Sequence, residues 1–389
     1  MLPEFDNTEI AFKYRTNKEL RRAQFLFSSM SSPNLTRLGM QLTKIAIDWK
    51  LPIKGIIKST IFEQFCGGET MEEASETAKI LSQYNVGVIM DYGVEGKEDE
   101  KEFDHAVPEF VKAIKYAASQ KSIPFISLKV TGFGRFGLLE KVHAGEKLSE
   151  AEQAEWQRIH KRINEICAAA HQYNIMVLID AEETWIQGPV NTLANAMMEQ
   201  YNKERGIVFN TFQMYCHASL AYLKQSLQEA IASGYILGAK LVRGAYMEKE
   251  RARAAEKGYP SPIQPDKAST DRDYNEAVLF CLQHLDKLSL FIGTHNEHSC
   301  LLAAKYMEEH NIPHNTDRVY FSQLYGMSDN ISFNLADAGY NVAKYLPYGP
   351  VRDVIPYLMR RAQENTSVKG QTGRELSLIN QEIKRRKGK

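Results

Sequence analysis

Short apolar runs rich in β-branched residues recur along the chain, at Ile61–Phe65, Val86–Met90, Ile123–Val130, Ile175–Ile179, Ile207–Phe212, Ile236–Val242, Leu290–Gly293 and Val319–Phe321. Continuous apolar runs of this length suit parallel strands that are buried on both faces. Between them lie stretches whose apolar positions recur at helical spacing, such as Phe110–Ala118, Glu150–Tyr173, Leu220–Ser233 and Tyr274–Leu285. Ser149 followed by Glu152 is a capping-box signal at the head of the second stretch. Strands alternating with helices in this number, over about 260 residues, have the count and size of a (β/α)8 barrel, so the expected class is α/β with a TIM-type barrel. A doubly wound open sheet alternates in the same way and is the competing architecture. Ahead of the first run, Asn17–Trp49 reads as helices broken at Ser32-Pro33-Asn34, which predicts an N-terminal helical arm. The expected organisation is therefore an arm over 1–50, a barrel over 51–370 and a basic tail over 371–389.

In a parallel barrel the chemistry lies at the carboxyl ends of the strands. Those ends carry Glu69, Asp91, Lys129, Asp180, Gln213, Lys240 with Arg243, His295 and Gln323, which predicts a polar cup over an apolar barrel. Lys129 and Lys240 sit inside apolar strand runs, where a lysine without a partner would lose its proton or destabilise the fold. Each needs an anionic acceptor. Three readings stand: structural pairing with Asp180 or a neighbour, a Schiff-base lysine, or a cation that holds an anionic ligand. Near the end of the chain, Pro347 and Pro350 precede a helix expected from about Arg352 to Gln363. Its adjacent Arg360 and Arg361 point about 100° apart. They form either a surface lattice, with Arg360 and Glu364 spaced i,i+4, or a guanidinium fork for a small carboxylate.

Gly132, Gly134 and Gly137 spell a dinucleotide-type glycine motif, but the next helix signal begins only at Ser149, which argues against a nicotinamide site. His295 and His298 lack a metal-binding context, and no Walker loop or nucleophile elbow occurs. Of the 389 residues, 48 are Lys or Arg and 48 are Asp or Glu, so no basic excess points to nucleic acid. The five cysteines, Cys66, Cys167, Cys216, Cys281 and Cys300, show no C-x-x-C spacing and suit a reducing compartment. The first residues lack a targeting pattern, and no apolar run is long enough to span a bilayer. The terminal run Lys384, Arg385, Arg386, Lys387 and Lys389 reads as a solvated tail. With Leu376, Leu378, Ile379 and Ile383 before it, a contact with anionic lipid is the sharper alternative.

Six segments in order resemble proline dehydrogenase: Gly67–Thr70 (GGET), Ile179–Glu183 (IDAEE), Phe212–Tyr215 (FQMY), Lys240–Met247 (KLVRGAYM), Gly293–Ser299 (GTHNEHS) and the Tyr345–Asn365 block. The resemblance runs from about Phe65 to Gly370, and the Asp91–Asp99 stretch is similar to the single-function, eukaryote-type branch. It implies a distorted (β/α)8 barrel that holds FAD non-covalently and oxidises L-proline to Δ1-pyrroline-5-carboxylate, the first step of proline catabolism, with electrons passed to a quinone. By motif, Lys129, Arg360 and Arg361 would bind the proline carboxylate, with Glu69 paired to the arginines and Asp180 ordering the site near the amine. Tyr345, Tyr246 and Leu324 would pack on the ring. Gln213, Lys240, Val242, Gly244, Ala245, Tyr246, Thr294, His295, Asn296 and Glu364 would line FAD. Part of the family has arginine where Lys240 stands, and a lysine keeps the charge without the planar fork. Tyr345 favours L-proline over 4-hydroxyproline, because similar hydroxyproline-oxidising enzymes tend to lack a tyrosine there. The alternatives are hydroxyproline dehydrogenase, a Schiff-base aldolase on Lys129 or Lys240, and a non-catalytic barrel scaffold. The expected location is cytoplasmic, or peripheral at an inner membrane (the mitochondrial matrix side for a eukaryotic chain without its transit peptide).

Overall fold

The computed structural model describes residues 2–31, 54–92, 98–367 and 371–388. Its strands are β1 (Val86–Tyr92), β2 (Phe125–Leu128), β3 (Met176–Ile179), β4 (Val208–Gln213), β5 (Leu237–Val242), β6 (Leu288–Gly293), β7 (Val319–Leu324) and β8 (Val342–Tyr348), closed into a barrel in chain order. The ladders β2–β3, β3–β4, β4–β5, β5–β6, β6–β7 and β1–β8 are all parallel. This is the expected (β/α)8 architecture. Helices follow the strands as the patterns predict. The longest described helix, Glu150–Tyr173, opens on the Ser149–Glu152 capping box and ends at Asn174 in the left-handed region. The Ser219–Ser233 helix stops at Gly234 (φ 68°), where a glycine adopts that conformation without strain.

Two strand expectations fail. Ile61–Phe65 is no strand: a π-helical turn over Lys58–Phe62 runs into the helical residues Glu63–Phe65. A short apolar run with aromatics fits a buried helix as well as a buried strand, and periodicity alone does not separate them. The eighth strand is Val342–Tyr348, whose apolar run is broken by Lys344 and Pro347. The Pro347 carbonyl accepts from Gly67 N at 2.8 Å. Nor does the first helix after the glycine motif wait for Ser149, since Phe136–His143 is helical. Gly134 there serves close packing, because a Cβ would collide with Ile159 of the Glu150–Tyr173 helix.

The chain divides into two compact units, Met1–Leu2 with Val94–Ser322, and Pro3–Gly93 with Gln323–Lys389. In the first, Phe125 stands edge-on to Phe291 and Tyr320, at centroid distances of 5.0 and 4.8 Å. In the second, Phe12, Leu20, Phe27, Phe62, Phe65, Leu358, Leu378 and Ile379 share one apolar core. Asn17–Met30 is a helix, as expected of the arm, and Thr16 and Glu19 form its capping box. The Ser32-Pro33-Asn34 break and the rest of the arm lie outside the described residues. The terminal segment is not a solvated tail. It forms the Gln371–Lys387 helix, Leu378 and Ile379 are buried, and Leu376 and Ile383 pack against the same core. Arg386 pairs with Glu382 at 2.6 Å and donates to the carbonyls of Phe12 and Arg15. Among the described residues no helix is long and apolar enough to cross a membrane. The five cysteines are buried free thiols.

Candidate functional site

In the Val94–Ser322 unit the two lysines that the sequence singles out meet on one carboxylate. Lys240, in the middle of β5, projects from a register between Thr211 and Phe291. Its Nζ lies 2.6 Å from Asp180 Oδ1, and its side chain is 6% exposed. Lys129, extended just past β2, brings Nζ to 3.3 Å from Asp180 Oδ2. Asp180 leaves β3 with its amide bonded to the Leu128 carbonyl at 2.9 Å, which seats its side chain beside the β2 end. The three side chains together carry one net positive charge.

Glu182 closes the same corner. Its carboxylate accepts from the Thr131 amide at 2.9 Å and from the Thr131 hydroxyl at 2.8 Å. Burial pushes this carboxyl up to about 7, against the bonds from Thr131 and the nearby Lys129 charge, which pull it down. Gln213, the last residue of β4, donates to the Glu182 carbonyl at 2.8 Å and accepts from the Ala245 amide at 3.4 Å. It therefore ties the loop after β3 to the loop after β5. Val242 ends β5 and accepts from Met214 N at 2.8 Å. Beyond it Gly244 turns at φ +141°, a conformation that suits glycine, over the Tyr215 ring, where a Cβ would collide. Gly244 and Ala245 are exposed and Tyr246 is half-buried, its amide 3.4 Å from the Tyr215 hydroxyl.

At the β6 end, Thr294 bonds the Ser322 carbonyl through its amide and accepts from Arg243 at 2.6 Å. Asn296 caps the Glu297–Glu309 helix through its side chain, and the half-buried His295 lies between them. Arg243 also pairs with Asp271 at 2.7 Å, donates to Ser299 at 3.0 Å and stacks 4.3 Å from the Tyr274 ring centroid. Burial raises the Asp271 carboxyl, but Lys267 and Arg243 together hold it below its ordinary value.

The other predicted residues belong to the second unit. Tyr345 is a buried β8 residue whose carbonyl accepts from the Tyr325 amide at 2.8 Å. Leu324 ends β7 and packs on the unit's apolar core. Glu69 lies on a loop rather than at a strand end, and Lys58 Nζ is 2.8 Å from its carboxylate. Gly67 and Gly68, just before it, run alongside β8 through bonds to Pro347 and Gly349. Arg360 and Arg361 are on the Val351–Ser367 helix. Arg361 is buried, with its guanidinium 5.2 Å from the Tyr357 ring centroid. The Glu364 side chain lies outside the described residues. Sequence reasoning passes over Lys344, a fully buried cation on β8, although it carries the same signal as Lys129 and Lys240, a lysine inside an apolar run.

A family model described as proline dehydrogenase matches residues 74–374. The chain belongs to the proline dehydrogenase family. Among relatives, it is 33% identical to the carbapenem antibiotics biosynthesis protein CarD of Pectobacterium carotovorum subsp. carotovorum, over 86% of each chain. It is 32% identical to the mitochondrial proline dehydrogenase 1 of Arabidopsis thaliana, over 86% of this chain and 76% of that one. It is 31% identical to a hydroxyproline dehydrogenase of Xenopus laevis, over 96% of this chain and 88% of the relative. The solved structure of proline utilization A from Bdellovibrio bacteriovorus, inactivated by N-propargylglycine, shares the fold at a TM-score of 0.73 and 19% identity. That match covers 95% of this chain and 40% of the other.

Proposed function

We propose that this proline dehydrogenase family member oxidises L-proline to Δ1-pyrroline-5-carboxylate with FAD, and that its electrons pass on to a quinone. The observation that carries the reading is Asp180, just past β3, shared between Lys129 just past β2 and Lys240 within β5. Both lysines are engaged as ion-pair donors, the arrangement of a clamp rather than of the neutral amine that a Schiff-base aldolase requires. The residues present fit a flavin dinucleotide: Lys240 and Arg243 supply cations, Gln213 an amide, and the exposed Gly244-Ala245 turn an approachable backbone. Thr294, His295, Asn296, Val242, Tyr246 and Glu364 complete the set that would hold it. Bound FAD would supply the acceptor for the hydride that leaves C5 as the nitrogen lone pair closes the C=N bond.

The chain's own residues bind and orient. Arg360 and Arg361 would grip the substrate carboxylate in two-point fashion, with Glu69 balancing their charge and Lys129 adding a third cation. Asp180 would hold both lysines in place. Tyr345, Tyr246 and Leu324 would cover the ring and exclude water. Lys240 would stabilise negative charge that builds on the acceptor side. No general base is needed if proline enters with its amine unprotonated. The Xenopus relative keeps 4-hydroxyproline as the second reading. Tyr345 supports proline, since a 4-hydroxyl against its ring would be poorly solvated. An absorbance spectrum taken anaerobically tests the assignment: the yellow protein should lose its visible flavin band on adding L-proline. A flavin that stays oxidised overturns the reading.

A further inference from the structure

The turn Leu324–Asp329, which joins β7 to the Asp329–Asp337 helix, is pinned by groups from separate parts of the chain. On β8, the fully buried Lys344 places Nζ 2.7 Å from Asp329 Oδ1 and 2.5 Å from the Met327 carbonyl, and it reaches the Leu324 carbonyl at 3.5 Å. From the N-terminal segment, Arg15 Nε donates to Asp329 Oδ2 at 3.0 Å, and the Tyr14 hydroxyl donates to the same oxygen at 2.8 Å. From the last helix, the Glu375 carboxylate accepts the Ser328 amide. Gln64 donates to the Gly326 carbonyl at 2.7 Å. Two residues of the turn are left-handed, Gly326 (φ 79°) and Ser328 (φ 51°). A serine keeps that conformation only where its surroundings over-determine it.

A buried ion pair of this kind is weak evidence for stability, because well-packed apolar side chains in its place would do as well or better. What it supplies is position. Lys344 bonds the backbone on both sides of the turn, and the next amide along, Tyr325 N, bonds the Tyr345 carbonyl at 2.8 Å. Leu324 and Tyr345 are thus held to one another through Lys344 and its neighbour. Successive side chains of a strand face opposite ways, so Lys344 does this from the face of β8 that Tyr345 does not use. We propose that Lys344, with Asp329, is a positioning residue that sets the ring-covering wall formed by Leu324 and Tyr345, an inference that rests on the proline reading above. Arg15 and Glu375, from the segments before and after the barrel, hold Asp329 and Ser328 in the turn and touch neither Leu324 nor Tyr345 in the bonds described.

Lys344→Met tests it, because Asp329 keeps Arg15 and Tyr14 as partners, and Arg15→Met is the companion that leaves the Lys344–Asp329 pair intact. Each purified flavoprotein is assayed for steady-state turnover of L-proline, inhibition by acetate (a probe of the carboxylate clamp alone), and thermal melting. For Lys344→Met the KM for L-proline rises roughly tenfold, kcat stays within about threefold, and acetate inhibition stays within about twofold. Arg15→Met lowers the melting temperature with KM close to that of the parent. The positioning role is overturned by a parental KM in Lys344→Met, by equal shifts in KM and acetate inhibition, or by a Lys344→Met protein that does not fold while Arg15→Met does. A parent protein whose flavin L-proline does not reduce overturns the substrate reading, and the wall with it.

Discussion

Asp180 is the residue on which the strand-end cations depend. Its two carboxylate oxygens serve two lysines, so Asp180→Asn leaves both ammonium groups in a mostly buried corner without their shared anion. Breaking one side of a buried pair costs about 3–5 kcal/mol, and the lower end applies here because 13% of the Asp180 side chain reaches solvent. Urea unfolding should report this loss, with a raised KM for L-proline. Glu182 has the opposite character. Its folded-state value near 7 lies above that of an exposed glutamate, so the fold binds the proton more tightly than the unfolded chain does. That contribution is complete below about pH 4.5 and is lost as pH climbs through about 7. Glu182→Gln should flatten the fall in melting temperature across this window, and a slope equal to the parent's would remove Glu182 as its source. Tyr345→Ser is predicted to weaken proline turnover and improve 4-hydroxyproline turnover. Steady-state kinetics with both substrates unchanged would take the ring out of the site.

Helices here were more legible than the strands. The capping box at Ser149 marks the start of its helix because cap and N3 side chains are neighbours in sequence. Ser149→Ala should destabilise by about 1 kcal/mol, measurable in denaturant titrations. By contrast, nothing local distinguishes Ile61–Phe65 from a buried strand, and Lys344 with Pro347 disguises β8. The turn after β7 is decided by its environment. Gly326→Ala adds a Cβ at φ 79° where the Gln64 carbonyl stands, so both the dihedral and the contact oppose it. A melting temperature equal to the parent's would show that the turn yields easily.

The second compact unit has an apolar core assembled from both ends of the described chain. The Gln371–Lys387 helix supplies Leu378 and Ile379 to that core, Glu375 to the Ser328 amide, and Arg386 to the carbonyls of Phe12 and Arg15. Ending the chain at residue 370 should therefore lower the melting temperature sharply and raise the proline KM, where a solvated tail would leave both unchanged. Adding FAD to apoprotein should raise the melting temperature in step with the logarithm of its concentration, which would separate flavin binding from catalysis.

By itself the sequence determined the alternation of strand and helix, the barrel class, the family and the candidate lysines. Each of these is written in local composition, in spacing or in contiguous motifs. Tertiary structure decided which anion the lysines share, since Lys129, Asp180 and Lys240 stand far apart in the chain and meet only because the parallel barrel strands bring them together. It also decided that Lys344 is buried against Asp329 and Arg15, and that the basic terminal run is a packed helix. A polar side chain carries no local sign of its distant partner. Burial selects the partner, because a charge taken out of water must find its complement wherever the fold has put one.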